Sequence, residues 1–248
     1  MSKIEGIVNK IKTKLKESDP KLTEDQISRR DKILNSDNPD FKGYGHKMSE
    51  MERIAKLLYN ENKCNYKEAV EVFKKLIDSN IHEEKFVGIY FINQLKKDFN
   101  ESTIKTFKKE FQNYCDTWAI CDSTMIKVIG PFLSIKGNEK LAEKTIEEWS
   151  NSKNMWIRRA SMVILLKIVM IKKEFDNEYV FTLVEKMLQY DEDYIQKGIG
   201  WLLKTCSKYD PDVIINYLEK NKKQLPRLIL RYASEKLPKD TRARILKK

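Results

Sequence analysis

The amino-acid sequence predicts an all-α fold, and three observations support this interpretation. Apolar residues recur at helical spacing in almost every segment; in YKEAVEVFKKLI they are Ala69, Val72, Phe73, Leu76 and Ile77. Only 8 Gly and 6 Pro occur among 248 residues, too few for the many turns of a β-barrel or β-sandwich. Hydrophobic residues make up 41% of the chain, enough for a sizeable core. We therefore expect about a dozen helices of roughly 10 to 18 residues and no strand.

Taken in chain order, the helical segments are separated by short polar connections. An N-terminal helical pair precedes the irregular stretch NSDNPDFKGYGHKM, which runs from Asn35 to Met48. Helical patterns follow in MERIAKLLYN, YKEAVEVFKKLI, EEKFVGIYFINQL, STIKTFKKEF, NEKLAEKTIEEW and VFTLVEKMLQY. The β-branched run MVILLKIVMI continues a helical pattern and is interpreted as a buried central helix. Asn, Asp and Ser in the connections are available as N-caps, as Asp210 is before Pro211.

The short connections between successive helices predict antiparallel helical hairpins. Such pairs recur about every 40 residues, a spacing typical of an α-solenoid of the HEAT-repeat type. We expect the hairpins to stack in a right-handed superhelix whose concave, basic face follows an elongated partner. Residues 1–248 are expected to form a single helical-repeat domain, in which residues 1–46 are an N-terminal helical pair and loop.

The charge distribution favours a polyanionic partner. The formal net charge is +11, from 48 Lys and Arg against 37 Asp and Glu. Residues 197–248 contain 14 Lys or Arg and 5 Asp or Glu, so the basic surplus lies mostly in this last stretch. Such a footprint fits phosphate contacts with duplex DNA. An acidic protein or RNA also fits, and a lysine-rich proteome produces basic surfaces that serve no specific partner.

The cysteines and the N-terminal segment bear on metal binding and compartment. Cys64, Cys115, Cys121 and Cys206 form no Cys-x-x-Cys pair and no cluster with histidine, so we expect no metal site. Four scattered cysteines suggest a reducing compartment. The N-terminal segment is charged throughout, and no run of about 18 apolar residues occurs. We therefore expect no signal peptide, no membrane span and a cytoplasmic protein.

Two segments place an aromatic and a charged residue on one face of a helix. In TWAICDSTM, Trp118 and Asp122 are four residues apart, and in NMWIRRAS, Trp156 and Arg159 are three residues apart. Taken singly, each pair is more often a core or half-buried tryptophan beside a solvated charge or a cap. The spacing alone therefore leaves both the structural and the functional interpretation open.

A third segment, QKGIGWLLKTCS, combines two glycines with an aromatic and two cations. Gly198 and Gly200 lie inside a helical pattern, where each costs roughly 1 kcal/mol relative to alanine. Such glycines usually have a packing reason or allow close approach to the backbone. Trp201 follows, with Lys197 four residues before it and Lys204 three residues after it. Tight packing around a core tryptophan is the alternative to a binding face.

Together these three segments resemble the AlkD-like family of alkylpurine DNA glycosylases. The family shows a Trp-x-x-x-Asp helix, a Trp-x-x-Arg segment and an Ile-Gly-Trp segment in this order. The resemblance covers roughly residues 48–240, and the matching residues are Trp118 with Asp122, Trp156 with Arg159, and Ile199, Gly200 and Trp201. Where the family often has an arginine three residues after the last tryptophan, this chain has Lys204, which neutralises phosphate without a bidentate grip.

The resemblance implies a role for each matching residue. Asp122 is expected to be the catalytic carboxylate, with Trp118 and Trp201 flanking the deoxyribose of the damaged nucleotide. Arg159, Lys197, Lys204 and Trp156 are expected to lie on the DNA-binding side. The implied reaction is hydrolysis of the N-glycosidic bond of N3- or N7-alkylated purines in duplex DNA, a step of base excision repair. It requires no cofactor and no metal, and the carboxylate stabilises the oxocarbenium-like sugar and positions water.

Two other functions fit the same sequence. One is a non-catalytic HEAT-repeat protein that recognises damaged or branched DNA, although retention of Asp122 argues against it. The other is a helical scaffold that binds an acidic protein or RNA. A monomer is expected, because a basic groove alone explains the charge.

Overall fold

The computed structural model describes residues 2–247, and this part of the chain is all-helical. It contains no strand among those residues, only an isolated bridge between Lys42 and Ile81. The all-α prediction is therefore confirmed. Eleven helices of 11 to 18 residues account for the predicted dozen, and shorter helices add to them. None of the helices described is long and apolar enough to cross a bilayer.

The chain forms two compact units, residues 1–124 and residues 125–248. The helices of the first unit are α1 (Lys3–Glu17), α2 (Glu24–Leu34), α3 (Met48–Asn62), α4 (Tyr66–Ile77), α5 (His82–Asn93), a 3₁₀ turn (Lys96–Asp98), α6 (Glu101–Tyr114) and α7 (Trp118–Thr124). Those of the second are a π-helical turn (Met125–Ile129), α8 (Gly130–Leu133), α9 (Glu139–Ser150), α10 (Met155–Lys172), α11 (Asn177–Met187), α12 (Asp193–Cys206), α13 (Pro211–Asn221), α14 (Arg227–Ala233) and α15 (Lys239–Leu246).

Polar residues in the connections begin many of these helices. The side chains of Ser2, Thr23, Asn65 and Asn100 each form a reciprocal capping box with the residue three positions later. Asp210 caps α13 as predicted, and Pro211 occupies the first helical position, where its missing N–H has no partner to lose. These N-caps satisfy main-chain N–H groups in the first turn, which explains why new helices begin directly after short connections.

The core of the first unit is built around α5. Every residue of this helix from His82 to Ile92 is buried, because α3 and α4 pack against it and α1 contacts all three helices. All five apolar residues predicted to form one face of α4 are buried. The predicted loop between α2 and α3 is also confirmed, since Leu34 ends one helix and Met48 begins the next.

The core of the second unit is built around α10. This helix packs against α8, α9 and α12, and it contains the apolar run predicted to be a buried central helix. The run is buried from Met162 to Leu166, while Met170 and Ile171 at its end are exposed. In turn α12 packs against α14, and Trp149 of α9 is fully buried. Within each unit, successive helices thus pair across short connections, as in an α-solenoid; the right-handed superhelix, its basic concave face and the single domain stay predictions.

Candidate functional site

Helix α7 carries the first pair of candidate residues, and its start is fixed locally. The Oγ1 atom of Thr117 accepts a hydrogen bond from the main-chain N–H of Ile120 at 3.2 Å, and Thr117 itself is fully buried. Trp118 is therefore the first residue of α7, and Asp122 follows one helical turn later on the same side.

The two side chains of this pair differ in exposure. Trp118 is half-buried, and its Nε1–H donates to the main-chain oxygen of Ile33 at 3.0 Å. Asp122 is only 7% exposed. A carboxylate that is largely withdrawn from water interacts more strongly with a nearby cation than one in bulk solvent. This arrangement suits the stabilisation of positive charge close to the indole.

A buried ion pair lies directly before α7. The Nζ atom of Lys85, in α5, lies 2.7 Å from Oδ2 of Asp116 and donates to the main-chain oxygen of Tyr114 at 2.7 Å. Lys85 is 3% exposed and Asp116 is 6% exposed. Sequence reasoning missed this pair. The sequence did contain a signal for buried charges. The run HEEK begins a strongly apolar helix, and all four of these polar residues are buried.

The irregular segment between α2 and α3 is anchored to the same part of the first unit. The buried carboxylate of Glu83 accepts hydrogen bonds from the main-chain N–H groups of Tyr44 at 2.9 Å and Gly45 at 2.6 Å. The main-chain N–H of Asp37 donates to the main-chain oxygen of Asp116 at 2.9 Å. The loop therefore has a defined conformation beside the residues that precede α7.

A π-helical turn, Met125–Ile129, follows α7 along the chain. Pro131 has no N–H to donate to the carbonyl four residues earlier, so one main-chain hydrogen bond of a regular α-helix is missing at this point. Gly130 is needed as well, because a Cβ there would lie 2.6 Å from both the main-chain oxygen of Met125 and Cγ of Lys167. Such turns are rare and occur often near functional sites.

In the second unit, α10 holds Trp156 and Arg159 in the interior. Trp156 is 3% exposed, and its ring lies 4.9 Å from that of Tyr194 in α12. Arg159 is 5% exposed; its guanidinium donates to the main-chain oxygen of Tyr194 and lies 5.9 Å from that ring. These contacts join α10 to α12 and support a structural role for both residues, while contact with DNA stays a prediction.

The two glycines of α12 differ in what lies against them. A Cβ on Gly200 would lie 2.4 Å from Cβ of Tyr232, so its absence lets α12 approach α14 closely. A Cβ on Gly198 would lie 2.7 Å from the terminal methyl carbon of Met162 in α10. Close packing therefore explains Gly200, whereas the close contact at Gly198 is with the flexible end of a side chain. Trp201, the next residue after Gly200, remains half-buried.

Both candidate lysines of α12 are held by carboxylates and aromatic rings. Lys197 Nζ lies 3.3 Å from Oδ2 of Asp193 and 5.4 Å from the centroid of the Tyr194 ring. Lys204 Nζ lies 3.0 Å from Oε2 of Glu235 and 5.8 Å from the Tyr232 ring. The hydrogen bond from Lys204 holds the pKa of Glu235 below its usual value. A phosphate that binds Lys204 must therefore compete with a carboxylate.

The candidate residues thus divide between the units. The first unit contains Trp118 and Asp122, and the second contains Trp156, Arg159, Lys197, Trp201 and Lys204. Both aromatic–charge pairs share a helical face, as their spacing predicts. All four cysteines are buried and free, and the described part of the chain has no group of three His, Cys, Asp or Glu side chains suited to a metal ion.

A groove in the second unit contains none of the predicted site residues. It has a volume of about 470 Å³ and lies between α9, α10 and α11, where Ile146, Val169 and Val180 contribute apolar surface. Four carboxylates and one lysine line this groove, so its charge is mostly negative and does not favour phosphate; they are Glu139, Glu143, Glu174, Asp176 and Lys172.

Comparisons with known proteins give a matching family model and a similar fold. A family model described as DNA alkylation repair enzyme matches residues 12–237. A solved structure described as a predicted DNA alkylation repair enzyme from Enterococcus faecalis has a similar fold, with a TM-score of 0.74 and 19% sequence identity. The similarity covers 88% of this chain and 97% of that one. No curated protein shows significant sequence similarity to this chain.

Proposed function

Since this chain belongs to the family of DNA alkylation repair enzymes, we propose that it is a DNA glycosylase that releases cationic N3- or N7-alkylated purines from duplex DNA. Membership confirms the resemblance that its three aromatic segments indicate. The observation that carries the proposal is the pair on α7, where a half-buried indole precedes a nearly buried carboxylate by one turn.

The chemistry needs few groups. A purine alkylated at N3 or N7 carries a positive charge and is already a good leaving group, so the sugar becomes oxocarbenium-like as the base departs. The carboxylate of Asp122 stabilises that charge and orients the attacking water. At about 4 Å and an effective dielectric near 20, the attraction is on the order of 4 kcal/mol. This corresponds to roughly a thousandfold in rate.

The tryptophans complete the proposed site. Trp118 and Trp201 are both half-buried, so each has an indole surface available to flank a deoxyribose. The negative face of an indole also favours an adjacent cation. The reaction proposed here uses no cofactor or metal ion.

The second unit supplies the proposed phosphate contacts. Lys197 and Lys204 are partly exposed on α12, and the last stretch of the chain carries most of the basic surplus. Arg159 and Trp156 are proposed to stabilise this surface indirectly. Their contacts with Tyr194 hold α12, the helix that carries the two lysines, against α10. The protein is proposed to act as a cytoplasmic monomer, with its 248 residues as one helical-repeat domain.

The test is base release from duplex DNA that contains N7-methylguanine or N3-methyladenine. We expect the wild type to release free base and Asp122→Asn to lose at least ~100-fold in single-turnover rate while DNA binding persists, since only transition-state stabilisation is removed. Asp212→Asn, which removes an exposed carboxylate from α13, is the matched control and should leave the rate unchanged.

Two results would contradict this proposal. Salt-sensitive DNA binding without base release would favour a non-catalytic protein that recognises damaged or branched DNA. Absence of both release and binding would require another acidic partner for the basic stretch, as in the scaffold interpretation.

A further inference from the structure

The buried ion pair before α7 is poorly explained by stability alone. Burying a lysine and an aspartate costs both side chains their hydration, and a well-packed apolar pair of similar volume is often equally stable. The pair is also incompletely satisfied, because Oδ1 of Asp116 is buried without a hydrogen-bond partner among the residues that the structure describes. Some property other than net stability therefore accounts for a charged pair here.

A charged, hydrogen-bonded pair fixes the orientation of the main chain around it, whereas contacts between apolar side chains have no preferred direction. The ammonium of Lys85 bonds to two oxygens from neighbouring residues, the carbonyl of Tyr114 and the carboxylate of Asp116, both at 2.7 Å. Together these bonds fix where α6 ends and how the chain turns toward α7. Apolar side chains would fill the same space, but they would not fix the position of the turn between α6 and α7.

The position of this turn is transmitted directly to the candidate site. Asp116 is followed by the buried cap Thr117 and then by Trp118. The main chain of Asp116 is held in addition by the N–H of Asp37 at 2.9 Å. A small displacement of Asp116 therefore moves the indole of Trp118 and the carboxylate of Asp122 together.

We propose that Lys85 and Asp116 are positioning residues that set the angle at which α7 presents Trp118 and Asp122. This inference rests on the proposed function for its effect on rate, and it stands on geometry alone for its effect on Trp118. A displacement of about 1 Å at a reacting group costs on the order of 100-fold in rate.

The experiment replaces the ion pair by apolar residues in Lys85→Met/Asp116→Leu. The matched control is Lys186→Met/Glu147→Gln, which removes an exposed ion pair of 2.9 Å between α11 and α9. Two quantities are measured for each protein: the indole N–H resonances in a ¹⁵N-labelled sample, and the single-turnover rate of base release beside the affinity for the same duplex. The chain has 4 Trp, and Trp118→Phe identifies the resonance of Trp118 by its disappearance.

We expect the double variant to remain folded, to shift or broaden the Trp118 resonance alone, and to lose at least tenfold in rate with DNA affinity within about threefold of wild type. An unchanged Trp118 resonance, or a rate within twofold of wild type, would overturn the proposal. If the wild type releases no base, the proposed function fails separately, and the resonance still decides whether the pair positions Trp118.

A second variant covers the case in which the apolar double variant does not fold. Lys85→Gln/Asp116→Asn removes both charges together, so neither is left buried and uncompensated, and it keeps polar side chains of similar volume. We expect the same resonance to shift and the rate to fall at least threefold, and no change in both would equally overturn the proposal.

Discussion

The indole Nε1–H of Trp118 donates a hydrogen bond to the main-chain oxygen of Ile33, 3.0 Å away and 85 positions earlier in the chain. Ile33 lies in the last turn of α2, where carbonyl oxygens have no partner within the helix. One unsatisfied helix end therefore orients a candidate site residue. The N-terminal helical pair, for which no site residue is expected from sequence, thus takes part in building the site.

The first prediction concerns this hydrogen bond. Trp118→Phe keeps an aromatic ring but removes the donor, so we expect base release to slow at least ~10-fold while stability changes by less than about 1 kcal/mol, since water can satisfy the carbonyl. Single-turnover release and urea unfolding measure the two effects. Tyr59→Phe, a hydroxyl deletion in α3, serves as the control, and wild-type release by Trp118→Phe would exclude a role for the indole N–H.

The second prediction compares the two glycines of α12. In Gly200→Ala the new Cβ meets Cβ of Tyr232 at 2.4 Å, a contact close to the backbone of α14 that cannot relax without moving that helix. We expect a loss of about 1 to 3 kcal/mol in the free energy of unfolding.

Gly198→Ala is the matched control for that loss. Its Cβ comes closer than ordinary van der Waals contact only to the terminal methyl of Met162, which can move aside. Alanine also has a higher helix propensity than glycine. We expect its stability to stay within about 1 kcal/mol of wild type in urea unfolding. Equal effects of the two substitutions would show that close packing against α14 is not what selects Gly200.

The third prediction concerns competition for Lys204. Glu235→Gln removes the carboxylate 3.0 Å from its Nζ atom, so the ammonium becomes available to phosphate. We expect DNA affinity to rise about threefold at low salt and the salt dependence to steepen by up to about one counterion. Glu174→Gln removes an exposed charge from the second unit as a control, and an equal gain there would mean that only net charge matters.

The fourth prediction concerns pH and His82. Burial lowers the pKa of His82 from 6.5 to about 3, and the charges of Lys85 and Arg30 act in the same direction. The unfolded chain takes up a proton below about pH 6.5 while the folded chain does not, so stability is complete above that pH and falls toward pH 3. Between pH 7.5 and pH 5 this group accounts for a loss of about 2 kcal/mol in the free energy of unfolding.

His82→Leu isolates this contribution. The variant keeps every other titratable group, so the difference between its pH profile and that of wild type belongs to His82. Urea unfolding at pH 7.5, 6 and 5 measures both profiles. Parallel profiles would show that His82 does not remain neutral in the folded protein.

Helical periodicity determined much of this protein from sequence. The apolar face of α4, the loop from residue 35, the cap at Asp210 and the buried run in α10 all follow from interactions over a few residues. The pairing of Trp118 with Asp122 on one helical face also follows, because four residues make about one turn. These features are local, and local spacing suffices to predict them.

The tertiary structure alone decided which of the candidate side chains are buried and what they contact. Trp118 and Trp156 have similar local sequence patterns, yet the first is half-buried with its N–H on Ile33, and the second is in the core against Tyr194. Lysine is usually exposed, but Lys85 is buried against Asp116, 31 positions away. Burial and hydrogen bonding depend on which segments pack together, and no spacing within one helix specifies a partner on another.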